Sequence, residues 1–212
     1  MSRVRIAVLV SGGGSNLQSL LDQIHQRDGD IVLVVSDRKD AYGLERAKKY
    51  GIPAIHLERE GYHERLQHLL EGAGIDLVVL AGYLKKVDPA LVALFKNRML
   101  NIHPSLIPAF CGEGFYGIHV HERALEYGVK ISGATVHFVD EEMDTGPIVA
   151  QEPVGVVTED TPKTLQQRVL KVEHRLLVES VRNFCQGRLQ VCGRKVRLDK
   201  GGNDESTDQR IG

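Results

Sequence analysis

With 212 residues, 42% of them apolar and 26% charged, the chain is long enough to bury a sizeable single core and too apolar for bulk disorder. A net charge of -1 argues against a dominant electrostatic affinity for nucleic acid and leaves only local basic patches. No apolar run reaches transmembrane length, and Met1-Ser2-Arg3-Val4-Arg5 passes straight into a strand pattern, so no membrane association and no signal peptide are expected. Cys111, Cys185 and Cys192 are odd in number, widely scattered and without metal-ligand spacing, which predicts a reducing cytoplasmic setting.

The run Ile6 to Val10 is apolar on both faces and predicts a buried parallel strand. Gly12, Gly13 and Gly14 break it, and Leu17, Leu20, Leu21 and Ile24 then recur at helical spacing. A second strand over Ile31 to Val35 ends at Ser36-Asp37, a helical stretch runs through Leu44 and Ala47, and Pro53 to Leu57 reads as a third strand. Leu77 to Ala81 is the clearest strand, followed by a helix start at Asp88-Pro89 and a short strand over Met99 to Ile102. Alternation of this kind predicts an α/β, Rossmann-like fold, a mainly parallel twisted sheet with helices on both faces. After Gly128, Lys130 to Val139 and Ile148 to Val157 carry β patterns with no helix between them, so antiparallel additions are expected in the C-terminal half. A long helix opens at Thr161-Pro162, presents Leu165, Val169, Val172, Leu176 and Phe184, and stops near Gly187. A small hairpin is expected over Arg188 to Leu198. The domain expectation is one domain over 1–198 and a polar, disordered tail over 199–212.

Three segments carry chemistry. Ser11-Gly12-Gly13-Gly14-Ser15-Asn16 joins the first strand to the first helix, where glycines let backbone N–H groups approach an anion and Ser15 or Asn16 can cap the helix. A tight strand–helix turn calls for glycine by packing alone. The loop lacks the Gly-Lys-Ser/Thr of a Walker motif, and Leu17 stands where a dinucleotide fingerprint needs a small residue. A single phosphate monoester fits better, although Asp37 keeps a ribose-binding dinucleotide oxidoreductase as a weak competitor. The second segment is Asn101-Ile102-His103-Pro104-Ser105, which pairs with the isolated acid of Met143-Asp144-Thr145-Gly146-Pro147. An amide donor for an oxyanion, an imidazole for proton transfer and a carboxylate that favours the charged imidazole make a minimal kit for acyl transfer. Taken alone, each has a bland reading as a turn residue, and 41 positions separate His103 from Asp144.

With these three segments in order, residues 4–189 closely resemble the folate-dependent phosphoribosylglycinamide formyltransferases. The resemblance implies transfer of a formyl group from 10-formyltetrahydrofolate, a co-substrate, to the amino group of glycinamide ribonucleotide in purine synthesis, with no metal. Asn101, His103 and Asp144 match the family's catalytic positions. Gly14, Ser15 and Asn16 match the segment that holds the nucleotide phosphate, and Glu173 matches an acid on the ribonucleotide. Arg59 and Leu84-Lys85-Lys86-Val87 align with folate-contacting positions, as Asn101 does. Asp140-Glu141-Glu142-Met143 aligns with a loop that helps enclose the pterin. Small-molecule substrates and a monomer or homodimer are expected, with no nucleic-acid or membrane partner. Ala109 to Gly117 is longer than the short Pro-Gly connection of some members.

His119, His121 and His137 read as structural or loop histidines, and Cys111 has no base assigned to it. A formyltetrahydrofolate hydrolase uses the same triad with water as acceptor but normally carries a domain in front, for which the strand beginning by Val4 leaves no room. A methionyl-tRNA formyltransferase would need a further C-terminal domain. A non-catalytic nucleotide-binding module on the same fold is the remaining alternative.

Overall fold

The computed structural model describes residues 2–199. Strands β1 (Val4–Val10), β2 (Gly29–Ser36), β3 (Ala54–His56), β4 (Leu77–Leu80) and β5 (Met99–His103) alternate with helices α1 (Ser15–Gln23), α2 (Tyr42–Lys49), α3 (Tyr62–Gly72) and α4 (Pro89–Leu94). Then come α5 (Ile118–Tyr127), β6 (Ile131–Phe138), β7 (Ile148–Gly155), α6 (Pro162–Cys185) and the hairpin β8 (Leu189–Cys192) and β9 (Lys195–Leu198). Among the described residues the strands form one sheet in the order β3-β2-β1-β4-β5-β6-β7-β9-β8. β3 through β5 are mutually parallel, β6 is antiparallel to both β5 and β7, and β9 joins β7 in parallel. This is the expected mainly parallel sheet with C-terminal antiparallel additions.

Side chains alternate between the two faces of the sheet. Ile6, Val8 and Val10 pack with α1, α2, α5 and α6, whereas Ala7 and Leu9 pack with α3 and α4. The same alternation on β5 sends Leu100 and Ile102 to the first layer and Met99 to the second. Asn101 and His103 therefore share the face of Met99, at the strand's carboxyl end. β1 lies between β2 and β4, so the direction of strand order reverses there. A crevice forms at such a switch point, outside the carboxyl ends of the strands.

Local signals account for most boundaries. The Asp88 carboxylate accepts from the Ala90 N–H at the start of α4, with Pro89 in the first turn. Thr161 and Thr164 cap the start of α6 reciprocally, and Gly187 follows its end at φ +67°. The expected capping of α1 by Ser15 or Asn16 is not found. Gly14 is the N-cap, at φ 69°, with no side-chain cap bond, and Ser15 and Asn16 lie within the helix. α3 and α5 carry weaker sequence signals, with only Tyr62, Leu66 and Leu70 buried on the first and Val120, His121 and Ala124 on the second. Asp199 belongs with the hairpin, since its N–H donates to the Arg188 carbonyl at 2.8 Å. The rest of the expected tail lies outside the described residues.

Candidate active site

The crevice is a cleft of about 700 Å³. Ser11 and Gly12 come to it from the β1–α1 loop, Ser15 from the first turn of α1, and Gly82 through Val87 from the end of β4. Asn101 and His103 come from β5, Gly112 through Gly117 from the loop before α5, and Asp140 through Asp144 from the turn after β6. Glu173 closes it from α6. Leu80, Leu84, Val87, Ile102 and Val139 give it apolar walls around a few polar groups, which suits a flat heteroaromatic ring beside a polar reacting centre.

Asn101 and His103 meet Asp144 across the 41 positions that separate the acid from the imidazole. Asp144 sits at φ 57°, a left-handed backbone that Asp tolerates better than most residues. Its Oδ2 accepts from the Gly112 N–H at 2.9 Å and lies 3.5 Å from His103 Nδ1. Its Oδ1 lies 3.4 Å from Asn101 Nδ2. The Asn101 amide also reaches His137 Nε2 at 3.1 Å, while His137 Nδ1 is 2.8 Å from the Phe138 carbonyl. A carbonyl can only accept, so His137 carries a proton on Nδ1, and its Nε2 stands between the Asn101 amide and Asp144 Oδ1, 3.6 Å away. His137, read from sequence as structural, thus holds the candidate oxyanion donor. Nothing local marked it: the antiparallel register that sets it opposite Asn101 is a property of the sheet.

Asp144 favours the charged imidazole, as expected, and so does the Phe110 carbonyl, but burial outweighs both and pushes His103 below its usual pKa. His103 is therefore neutral at rest near pH 7. Burial alone would raise the Asp144 pKa, but contacts to His137 and His103 and the Gly112 N–H outweigh it and keep the carboxylate ionised. Glu173 is pushed up to about 7 by burial, with the Asn16 amide opposing at 2.8 Å. Asn16 Oδ1 is buried without a partner, an acceptor left over beside the glycine loop.

The glycine loop divides its labour. A Cβ on Gly14 would stand 2.7 Å from the Gly43 Cα, so Gly14 lets α1 start against α2. Around Gly12 and Gly13 there is open space. Packing alone therefore requires glycine at position 14, and the open space around Gly12 and Gly13 leaves room for an anion beside the loop. Asp37 accepts the Ser11 hydroxyl at 2.6 Å, and that hydroxyl accepts from the Leu84 N–H at 2.9 Å. Asp37 ties the first two parallel strands to the β4 loop, which weakens the dinucleotide reading. Leu84, Lys85, Lys86, Val87 and Asp140 through Met143 line the cleft, whereas Arg59 is exposed and is not among its lining residues. Among the described residues no cluster of three or more His, Cys, Asp or Glu is arranged to hold a metal ion.

The formyl transferase family model matches residues 4–181. The chain belongs to that family. It is 45% identical to the chloroplastic phosphoribosylglycinamide formyltransferase of Arabidopsis thaliana over 89% of this chain and 68% of the relative. It is 38% identical to the phosphoribosylglycinamide formyltransferase of Escherichia coli over 92% of this chain and 94% of that one. The crystal structure of glycinamide ribonucleotide transformylase 1 from Symbiobacterium toebii superposes with a TM-score of 0.86 at 45% identity, covering 92% and 94% of the two chains. A formyltetrahydrofolate deformylase from Pseudomonas syringae also superposes, with a TM-score of 0.85 at 28% identity, over 93% of this formyl transferase and 66% of that chain.

Proposed function

We infer that this formyl transferase carries a formyl group from 10-formyltetrahydrofolate to the amino group of glycinamide ribonucleotide. The observation that carries the reading is the meeting of Asn101, His103 and Asp144 in a cleft that Gly12 and Ser15 also line. Relatives at 38% and 45% identity bear the name of that activity.

The residues divide the work as follows. The N–H groups around Gly12 and Gly13 and the Ser15 side chain take the nucleotide phosphate, far from the reacting atoms, so their binding energy orients the amine. Glu173 and the free Asn16 Oδ1 face the ribose. Leu84 through Val87 and Asp140 through Met143 enclose the folate. Asn101, held by His137, donates its amide hydrogen to the oxygen that becomes negative as the amine attacks the formyl carbon. His103, neutral at rest, accepts the amine's proton on Nδ1 and returns it to the departing folate nitrogen. Asp144 stabilises the imidazolium that exists between those two transfers. The amine–carbon bond forms, the bond from carbon to the folate nitrogen breaks, and the proton moves from one nitrogen to the other by way of His103.

Further readings belong with this one: both substrates are small molecules, and the setting is the cytoplasm. No helix among the described residues is long and apolar enough to cross a membrane. The chain acts as a monomer or homodimer and needs no metal.

Hydrolysis of the formyl folate is the second reading, favoured by the deformylase superposition and by the shared triad chemistry. Tetrahydrofolate release measured with and without glycinamide ribonucleotide separates the two. Release that requires the nucleotide supports transfer, and release at the same rate without it supports hydrolysis.

A further inference from the structure

The loop before α5 does more than border the cleft. The Phe110 carbonyl lies 2.9 Å from His103 Nε2, and two residues later the Gly112 N–H donates to Asp144 Oδ2 at 2.9 Å. One short segment therefore touches both the imidazole and the carboxylate of the proposed proton relay. Phe110 itself sits at φ 50°. Bulky residues rarely accept that left-handed backbone, and the neighbours that also adopt it, Gly112 at φ 87° and Gly114 at φ 84°, are glycines. A glycine would fit position 110 with less strain, so the side chain there has a separate reason to exist.

That reason is visible in the packing. The Phe110 ring meets Phe115 edge-on at 6.2 Å and 63°, and Tyr127 at 6.0 Å and 77°. Both are favourable edge-to-face arrangements. Phe115 lies on the same loop, and Tyr127 stands at the end of α5, so the three rings clasp the loop onto the helix. The Phe110 ring also packs against the core layer below it.

We propose that Phe110 is a positioning residue: its ring, clasped between Phe115 and Tyr127, holds its left-handed backbone so that the carbonyl fixes His103 with its hydrogen on Nε2 and its lone pair on Nδ1. A neutral imidazole has one donor and one acceptor nitrogen, and a carbonyl can only accept. His103 is thereby delivered in the one tautomer that can take a proton on the side facing Asp144. This inference rests on the role given to His103 under the proposed function.

His103 is faced by Asp144 from the turn after β6, His137 from β6 and His121 from α5, and Cys111 of the loop lies near Asp144. Asp144 and the Phe110 carbonyl favour its charged form, and burial and His137 oppose it. Loss of the carbonyl contact therefore moves the His103 titration further down.

Nitrogen NMR of imidazole-labelled protein reads the tautomer without reference to activity. In the unaltered protein His103 is expected in the Nε2–H form above its titration. Phe110→Ala is expected to give a mixture of tautomers and to shift the acid limb of kcat to lower pH. It should also lower kcat about tenfold, the scale of a sub-ångström misplacement, with KM for either substrate changed less than twofold. Phe110→Tyr keeps the ring and is expected to restore the spectrum and the profile. Tyr127→Ala removes an exposed ring, leaves the core untouched and is expected to give the same shifts in smaller measure, so it carries the test if Phe110→Ala does not fold. An Nδ1–H tautomer in the unaltered protein overturns the proposal, as does an unaltered spectrum and profile in Phe110→Ala or, should that variant fail to fold, in Tyr127→Ala. A correct tautomer together with full activity in His103→Ala would instead overturn the role of His103 and leave the loop's grip on it standing.

Discussion

His103 is neutral at rest because its burial outweighs the attraction of Asp144, and that fixes the direction in which the acid–base chemistry runs. Activity that depends on a neutral imidazole falls on acidification through the His103 titration, which lies below the ordinary 6.5. Asp144→Asn removes a charge that favours imidazolium, so the acid limb of kcat is expected to move lower still. Turnover in that variant is expected to fall by about a hundredfold or more, as it should in His103→Ala. Substrate dissociation constants should change much less, and a pH–rate profile with calorimetry on each folded variant checks all three. A second pair of variants separates the two jobs of the glycine loop. Gly13→Val places a branched side chain where a phosphate would approach but nothing of the protein stands within 4 Å. It is expected to weaken nucleotide binding with the melting temperature preserved. Gly14→Val drives a Cβ against Gly43 at a positive φ. It is expected to destabilise the fold by about 1–3 kcal/mol, read as a lowered melting temperature, before any effect on the ligand is counted.

At the scale of elements, α6 is both the closing helix of the core and a wall of the cleft. Leu165, Val169 and Leu176 were legible as its apolar face because they recur at helical spacing, and all three are buried. Glu173 is also buried, at 7% exposure, and it titrates near 7 because of that burial. The native state then holds a proton on Glu173 over a range in which the unfolded chain has released it. Stability is therefore expected to fall as pH rises from about 4.5 to about 7 and to level off above, by about 3 kcal/mol in total. Glu173→Gln is expected to remove this slope and to be the more stable protein at pH 8 while binding the nucleotide less well. Denaturant titrations at pH 5, 6.5 and 8 give the comparison. Strands β1, β2, β4 and β5 could be read from continuous apolar runs, because strands covered on both faces carry that pattern. α3 and α5 were not read, because each buries only three residues and polar side chains fill the positions between.

At the scale of the molecule, the sheet order brings the ends of β1, β4 and β5 to one crevice and folds the turn after β6 back over it. The residue types proposed for formyl transfer were legible in the Asn-x-His segment and the lone Asp144, since chemistry restricts which side chains can serve. Their meeting was not, because it depends on the antiparallel return of β6 alongside β5. His137 escaped for the same reason, and the Phe110 carbonyl and Gly112 N–H escaped because a backbone group has no signature in a sequence. The hairpin adds one more long-range tie: the Arg194 guanidinium donates to the Thr145 carbonyl at 2.8 Å, next to Asp144. Arg194→Ala is therefore expected to lower kcat modestly, about twofold to fivefold, by loosening that turn, and steady-state kinetics measure it. The formyl carbon is expected to pass directly to the nucleotide amine within this one cleft. A single turnover with formyl-labelled 10-formyltetrahydrofolate and excess glycinamide ribonucleotide decides the matter. All released tetrahydrofolate is then matched by label in the formylated nucleotide, with none in formate. Label found mainly as free formate, with the nucleotide unmodified, would rule out direct transfer.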